Sequence, residues 1–155
     1  MRTIEEWLEE YNESHRHPTN KTLHWICVPL IVFSLLGLLY PLSLTALAAK
    51  LPLSLNGATV LLALAILYYL FLSWQLALGM LAVSGLMLLA LQQLSNLAMP
   101  LWLLSVIIFV LAWIGQFIGH QVEGKKPSFF KDVQFLLIGP LWLLSAVYRK
   151  LNIPY

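Results

Sequence analysis

Charged residues are scarce in this sequence of 155 residues, at 10% of the chain, whereas hydrophobic residues make up 60%. Soluble domains carry about 25% charged and about 45–50% apolar residues. A chain this apolar cannot cover a water-facing surface, which excludes a soluble globular enzyme. Intrinsic disorder is also excluded, because apolar surface is abundant enough to offset the entropy of ordering. The composition predicts an integral membrane protein.

Other expected signals are also missing. Cysteine occurs once, as Cys27, which excludes an intramolecular disulfide framework and a Cys-rich zinc module. A net charge of +2, without a basic stripe or stacking aromatics in a polar setting, gives no argument for nucleic-acid binding. The absence of a Ser-His-Asp order, a Gly-rich phosphate loop and a Walker pattern removes the basis for acyl-transfer triads and nucleotide hydrolysis.

Charge is almost absent from the centre of the chain, where Lys50 is the one charged residue between Thr22 and Gly119. A helix needs about 20 apolar residues to cross about 30 Å of hydrocarbon. Polar, proline and glycine residues divide this tract into four such segments, at 22–40, 57–74, 76–94 and 99–119. We therefore expect an all-α membrane helical bundle of about four transmembrane helices, forming a single domain over residues 1–155.

Two further segments contain proline and do not resemble spans. Residues 41–56 include Pro41, Pro52 and a lysine, and they predict a short surface helix. Residues 133–148 are 16 mostly apolar residues with Pro140 in the middle. Because proline breaks or kinks a helix, we expect this last segment to be re-entrant or interfacial, and a fifth span is the alternative.

Residues 3–14 predict an N-terminal amphipathic helix. Thr3 and Glu6 form a capping box, and apolar residues recur at helical spacing opposite an acidic face. Helices that bind anionic lipid usually carry lysine and arginine instead. The helix therefore either docks on the protein's own basic loop or serves as a simple interfacial anchor. The apolar positions are Ile4, Trp7, Leu8 and Tyr11.

The distribution of positive charge predicts the orientation. Four crossings place the N-terminus and the loop 121–132 on one face of the membrane, opposite Lys50. The positive-inside rule makes that face cytoplasmic, in either a bacterial inner membrane or the endoplasmic reticulum. Residues 1–21 have no apolar run of the signal-peptide kind. The positive residues on this face are Arg2, Arg16, Lys21, Lys125, Lys126 and Lys131.

All four histidines fall on this predicted cytoplasmic face. His24 lies near the start of the first span and His120 just beyond the fourth, so the two reach the same membrane depth. Neutral imidazoles that converge at the end of a helix bundle can bind a transition metal. The sequence therefore predicts a metal site at His15, His24 and His120, with ordinary interfacial histidines as the alternative. His17, just before a proline, is expected to be exposed.

Residues near the histidines extend the candidate site. Asn20 and His24 share one helix face at i, i+4, and His120 and Glu123 form an H-x-x-E pair. Glu123 is either a further ligand or a partner that orients an imidazole, while Asn20 and Tyr11 are candidates for supporting or substrate contacts. Four histidines without an H-x-x-H-H cluster favour a single ion over a di-iron centre. Nitrogen and oxygen ligands with open positions suit Fe(II) or Zn(II).

Two blocks of the sequence resemble a known family. They read Tyr11-x3-His15-x2-Pro18-x-Asn20-x3-His24-x3-Val28-Pro29 and Gln116-Phe117-Ile118-Gly119-His120-x2-Glu123-x3-Pro127. They are similar to the small membrane dioxygenases of fatty acid α-oxidation, which include the yeast enzyme of phytosphingosine breakdown. The order of spans also fits, so the similarity covers most of the chain. The chain departs from the family pattern at His17, Cys27 and Ser128, where Asn, Gly and Ala are common.

The resemblance implies an Fe(II)-dependent dioxygenase that shortens a long-chain 2-hydroxy fatty acid by one carbon, with O2 as co-substrate. It implies that His15, His24 and His120 ligate the iron. A 2-hydroxy acid can chelate iron through its carboxylate and hydroxyl while its tail stays in the bilayer. Lys125, Lys126 or Arg16 either attracts the carboxylate or only follows the positive-inside rule. The remaining candidates for metal, supporting or substrate contacts are Glu123, Asn20, Tyr11 and His17.

Two other functions stay open at this level. One is a non-enzymatic membrane carrier or scaffold, although the midplane charges and repeated halves common in carriers are absent from the sequence. The other is a zinc-dependent membrane hydrolase, in which the same histidines hold a different metal. Cys27 is either a thiolate ligand or, as free cysteines usually are, a small buried hydrophobe. Homo-oligomerisation and the preferred chain length of the substrate also stay open.

Overall fold

The computed structural model describes residues 2–44, 55–128 and 133–155, and these residues form an all-helical structure, as predicted. The described helices are α1 (Ile4–Glu13), α2 (Pro18–Leu39), α3 (Gly57–Leu72), α4 (Trp74–Leu94), α5 (Leu101–Glu123) and α6 (Phe135–Lys150). The surface helix predicted within 41–56 falls mainly on residues outside the described ranges, as do the last four residues of the predicted loop 121–132.

Three of the helices are long and apolar enough to cross a membrane, namely α2, α4 and α5, with 22, 21 and 23 residues. Helix α3 is equally apolar but has only 16 residues. The structure thus shows three helices of spanning length where the sequence predicts about four spans, and a crossing by α3 stays a prediction. Helix α6 also has 16 residues, with Pro140 inside it.

A single residue, Ser73, separates α3 from α4. Its backbone N–H donates to the Tyr69 carbonyl and ends α3, while its hydroxyl accepts from the backbone N–H of Leu76 and begins α4. A side-chain oxygen at this position satisfies one of the free donors at the start of a helix. The boundary between the predicted segments 57–74 and 76–94 is therefore displaced by one or two residues, because Ser73 caps both helix ends.

The helices run in alternate directions. At one end of the bundle the late part of α2, the early part of α3, the late part of α4 and the early part of α5 form one buried apolar cluster. Such an arrangement requires each helix to be antiparallel to the next. The start of α2 and the end of α5 therefore meet at the opposite end of the bundle. The cluster residues are Leu36, Ala58, Leu91 and Leu101.

Glycines let α2 and α5 approach closely along their length. A Cβ atom added at Gly119 would clash with the side-chain oxygen of Asn20, and one added at Gly37 would clash with the hydroxyl of Ser105. Small residues at a membrane helix interface allow backbones to approach and increase van der Waals contact. This close contact sets the positions of the two helices that carry His24 and His120.

The outward faces of the bundle are apolar. Large side chains point away from the protein on several helices, including Phe71 at 77% exposure and Leu86 at 68%. An apolar surface of this extent is unfavourable in water and has no such cost in hydrocarbon. The apolar helices and their exposed faces indicate a membrane protein.

Helix α1 packs on α6 by its apolar stripe, beneath the end of the bundle that carries the histidines. The predicted capping box is present, with Thr3 and Glu6 each bonding the other's backbone N–H. Trp142 of α6 donates from Nε1 to the side-chain oxygen of Asn12 at 2.6 Å. The buried stripe is Ile4, Trp7, Leu8 and Tyr11, in one cluster with Phe135, Ile138, Leu141 and Trp142.

In the described part of the basic loop, one residue, Lys125, forms a hydrogen bond with α1. Within the described ranges, the one ion pair joins Arg2 to Glu10, both at the N-terminal end of the chain. The loop contributes a hydrogen bond from Lys125 Nζ to the backbone carbonyl of Glu13, at 2.6 Å. Docking of α1 on the basic loop and interfacial anchoring therefore both stay predictions, while the structure shows the apolar stripe packed on α6. The stripe docks on α6 because apolar partners bury it more completely than a charged loop can.

Candidate metal centre

Three histidines from separate parts of the chain meet at one end of the bundle. His15 follows α1, His24 lies in the second turn of α2, and His120 lies in the last turn of α5. One potential ligand atom from each lies within 4.8 Å of the others, and all three residues are buried. The ring centroids are 4.2–5.0 Å apart. The structure thus brings together the three residues for which the sequence predicts a shared site.

Backbone carbonyls fix the tautomers of two of these rings. His15 Nδ1 lies 2.5 Å from the Tyr11 carbonyl, and His24 Nδ1 lies 2.9 Å from the Asn20 carbonyl. A carbonyl oxygen only accepts, so each Nδ1 must carry its ring's proton, as assigned from these partners. The Nε2 atoms of both rings are then lone-pair acceptors, and they lie 2.9 Å apart.

Two lone pairs at this distance repel each other unless a cation lies between them. Burial lowers the pKa of His15 to about 4, with a smaller contribution from His120 that acts in the same direction. The His15 ring is therefore neutral at neutral pH, and its Nε2 lone pair is available to a metal cation. A transition metal here would be held by the Nε2 atoms of His15 and His24, together with His120. The donor set fits a nitrogen-ligated transition metal.

Glu123 makes contacts outside the histidine group. Its Oε1 accepts from the backbone N–H of Arg16 at 2.9 Å, and its Oε2 accepts from that of His17 at 2.7 Å. Oε2 also accepts from the side-chain amide of Asn20 at 3.2 Å. The carboxylate thereby fastens the end of α5 to the segment between α1 and α2. His17 is exposed, and its ring caps α2 by accepting from the backbone N–H of Thr19.

Tyr11 and Asn20 support the site by contacts with the residues around the histidines. The Tyr11 ring stacks on the His15 ring, with centroids 4.1 Å apart and planes 8° from parallel. The Asn20 amide donates to the Ser14 carbonyl at 3.0 Å in addition to Glu123. Cys27 is buried and lies outside the histidine group, which favours its interpretation as a small hydrophobe.

A cavity of about 50 Å³ opens beside the histidines and extends toward the predicted membrane core between α2, α5 and α6. Gln116 and Ser128 contribute polar atoms to its lining, and Lys125 does not line it. Sequence reasoning assigned no role to Gln116. Its signal was a polar residue inside an apolar span, which in membrane proteins is often functional. Ser128 carried no comparable signal beyond its departure from the family pattern.

A second cavity, of about 170 Å³, lies between α2, α4 and α6 and is lined by apolar side chains. Val28 and Val32 of α2 line both cavities. These two valines lie one and two turns deeper along α2 than His24, about 6 and 12 Å by helix rise. The cavity that contains the histidines is thus adjacent to a cavity lined by apolar side chains alone.

Comparison with known proteins shows one family. A family model described as 2-hydroxy-palmitic acid dioxygenase Mpo1-like matches residues 1–151. The chain is similar to the protein named 2-hydroxy-palmitic acid dioxygenase MPO1 of Saccharomyces cerevisiae, with 30% identity over 144 residues. That match covers 92% of this chain and 78% of the yeast protein. No solved structure matches the chain.

Proposed function

This chain belongs to the Mpo1-like family, and from that premise we propose that it is an Fe(II)-dependent dioxygenase that shortens 2-hydroxy fatty acids by one carbon. The observation that supports the proposal most is the convergence of unprotonated Nε2 atoms from His15 and His24, 2.9 Å apart, next to His120. Imidazole nitrogen is a suitable ligand for iron.

In this proposal His15, His24 and His120 hold the metal, and Glu123 positions the ligands. Fe(II) bound at these imidazoles would supply the redox chemistry that O2 requires. The Glu123 carboxylate accepts two backbone N–H groups and the Asn20 amide, so it fixes the start of α2 against the end of α5. Residues that orient metal ligands through hydrogen bonds often affect metal affinity strongly. We therefore assign Glu123 a positioning role and not a ligand role.

The protein's own side chains shield the histidines from water. The Tyr11 ring covers one face of the His15 ring, and the centroid of the Trp142 ring lies 5.5 Å from the centroid of His15. Phe135 packs beside Tyr11 and lines the cavity. Exclusion of water strengthens electrostatic interactions inside a site and limits side reactions. These aromatic residues would thus protect a reactive centre near the membrane surface.

The two cavities match the two parts of the proposed substrate, its polar head and its apolar tail. The cavity at the histidines, about 50 Å³, accommodates a carboxylate and its neighbouring hydroxyl but not a long alkyl chain. The adjoining apolar cavity of about 170 Å³ then accommodates the first part of the tail. The long-chain 2-hydroxy fatty acid expected from the sequence fits this arrangement, because it has both parts.

The end of the bundle with the histidines is proposed to face the cytoplasm, in a bacterial inner membrane or the endoplasmic reticulum. Arg2, Arg16, Lys21, Lys125 and Lys126 all lie outside the described apolar helices or in their terminal turns at this end. Such an excess of lysine and arginine is typical of cytoplasmic segments. The substrate would enter from the bilayer and meet the metal beside the lipid headgroups.

The proposal is tested by oxygen consumption with defined metals. The purified protein is loaded anaerobically with Fe(II) or Zn(II) and mixed with 2-hydroxyhexadecanoate, with hexadecanoate as the matched substrate control. We expect oxygen uptake with the Fe(II)-loaded protein and 2-hydroxyhexadecanoate but not with the Zn(II)-loaded protein. Mass spectrometry should then show an acyl product one carbon shorter than the substrate. Iron-loaded protein that consumes no oxygen, or zinc-loaded protein that hydrolyses ester substrates, would contradict the proposal. His17→Ala, a change in an exposed histidine, should leave oxygen uptake intact.

A further inference from the structure

Two buried polar groups beside the histidines have no partner of their own. Gln116 is 5% exposed and Ser128 is 4% exposed. Gln116 Nε2 and Ser128 Oγ are inaccessible to solvent and form no hydrogen bond within the described ranges. Both residues line the cavity that contains the three histidines. Buried polar groups in folded proteins are nearly always hydrogen-bonded, so these two atoms, together with the unpartnered Nδ1 of His120 in the same cavity, indicate a site for a polar ligand.

The hydrogen-bonding capacity of the two groups indicates which polar atoms the ligand must offer. The amide nitrogen of glutamine only donates, and a serine hydroxyl both donates and accepts. A ligand that satisfies both must offer an acceptor to the amide, and a small polar head with two neighbouring oxygen atoms can accept from the amide and from the hydroxyl together. Neither group carries charge, so each recognises oxygen atoms by hydrogen bonding and leaves charge neutralisation to the metal site.

The positions of the two residues order them along the cavity. Gln116 precedes His120 by four residues on α5, which places it on the same helix face about 6 Å deeper in the predicted span. Ser128 comes five residues after Glu123, the last residue of α5, and so lies in the segment that follows the predicted span. The apolar cavity that would receive the tail shares Val28 and Val32 with the histidine cavity and extends from them to Met87 of α4.

We propose that Gln116 reads the 2-hydroxyl group of the substrate and that Ser128 binds its carboxylate. In a fatty acid the carboxylate is terminal, and carbon 2 with its hydroxyl is the next group toward the tail. The deeper donor, Gln116 Nε2, then meets the hydroxyl oxygen, and the outer hydroxyl of Ser128 donates to the carboxylate. This assignment rests on the proposed function, since it takes a 2-hydroxy acid as the ligand.

The assignment makes Gln116 the residue that distinguishes a 2-hydroxy acid from a plain fatty acid. A site built to hydrogen-bond a hydroxyl rejects an analogue that lacks it, because the buried donor is then left unpaired. Ser128 contacts a group that both acids share. Loss of Gln116 should therefore change the ratio of the two affinities, and loss of Ser128 should weaken both by the same factor.

Equilibrium binding tests this inference without turnover. The protein is loaded with Fe(II) under anaerobic conditions, and 2-hydroxyhexadecanoate and hexadecanoate are titrated separately while tryptophan fluorescence is followed. We expect Gln116→Met, which keeps the side-chain volume, to reduce the preference for the 2-hydroxy acid by about tenfold, the effect of about one hydrogen bond. Ser128→Ala should weaken both acids by a similar factor and leave the preference unchanged. Metal content should be the same in every variant.

Controls separate recognition from folding. Gln116→Asn keeps the amide but shortens it, and it should also lose the preference even if Gln116→Met folds poorly. Gln93→Leu, on an exposed position of α4, should behave as wild type. The inference would be overturned if folded Gln116→Met and Gln116→Asn kept the wild-type preference for the 2-hydroxy acid. It would also be overturned if these variants bound both acids more weakly by the same factor. If wild type shows the preference but consumes no oxygen with iron, the binding assignment stands and the proposed oxidation fails.

Discussion

The Nε2 atoms of His15 and His24 face each other at 2.9 Å, while the opposite nitrogen of each ring is held by a backbone carbonyl four residues earlier. Those carbonyls belong to Tyr11 and Asn20. Because the tautomers depend on backbone atoms, they depend on the packing of α1 and α2 and not on any replaceable side-chain acceptor. Changes that move these helices should therefore affect metal binding more than changes in polarity nearby.

Acid should destabilise the metal-free protein between about pH 6.5 and pH 4. Burial lowers the pKa of His15 from 6.5 to about 4, so over this interval the unfolded chain binds a proton that the folded chain does not. The contribution to stability is fully present above pH 6.5 and is lost as the pH falls toward 4. Thermal unfolding followed by circular dichroism checks this. His15→Gln should lose less stability than wild type over the same interval, and an equal loss in both would contradict the account.

Removal of the Glu123 carboxylate should loosen the metal site. Glu123→Ala leaves two backbone N–H groups and the Asn20 amide without their acceptor, and we expect a loss of about 2 kcal/mol in the free energy of unfolding. Metal affinity should fall by about 10–100-fold, because the segment that carries His15 is no longer held. Competition with a chelator measures the affinity. Glu5→Ala, on the exposed face of α1, is the control, and metal affinity in Glu123→Ala equal to that of this control would refute the positioning role.

A methyl group at Gly119 should separate α2 from α5. Its Cβ would clash with the Asn20 side chain, and overpacking of this kind costs about 1–3 kcal/mol. For a chain of this size that lowers the midpoint of thermal unfolding by about 2–4 °C per kcal/mol. Gly85→Ala is the matched control, since nothing lies within 4 Å of the added atom. Equal midpoints in the two variants would show that the helices are not in close contact at Gly119.

A bulky residue in the apolar cavity should shorten the preferred substrate. Val83 of α4 lines this cavity, and Val83→Trp would fill part of the space proposed for the tail. Activity on long 2-hydroxy acids should fall by about tenfold relative to short ones, which corresponds to about 1.4 kcal/mol. Leu86→Trp, on the exposed face of the same helix, should leave the chain-length profile unchanged. A parallel shift in both variants would exclude a specific tail site.

The sequence was most informative where physical constraints leave few alternatives. The all-helical fold follows from long apolar tracts, because hydrocarbon requires backbone polar groups to be satisfied within each segment. The meeting of His15, His24 and His120 was predicted from an even count of crossings, and in the structure the antiparallel order of α2 to α5 brings His24 and His120 to the same end of the bundle. The structure contains three helices of spanning length, with α3 shorter, because composition locates apolar segments better than it fixes the residues at their ends.

The sequence was least informative about which surfaces pair. The stripe on α1 shows that one face is buried but does not identify α6 as its partner. The role of Glu123 depends on the turn between α1 and α2, which presents the backbone N–H groups of Arg16 and His17 to the carboxylate. The sequence did not predict a role for Gln116, because its position in the cavity depends on the rotation of α5 relative to α2.

The central claim is that three imidazoles, from His15, His24 and His120, bind one metal ion. X-ray absorption spectroscopy on the Fe(II)-loaded protein, with the metal content measured in the same sample, tests it most directly. We predict one iron per chain with three imidazole ligands, loss of an imidazole or of the iron in His24→Ala and His120→Ala, and an unchanged spectrum in His17→Ala. Iron that is bound with fewer imidazoles, or that keeps its wild-type spectrum when His24 or His120 is removed, would contradict the claim.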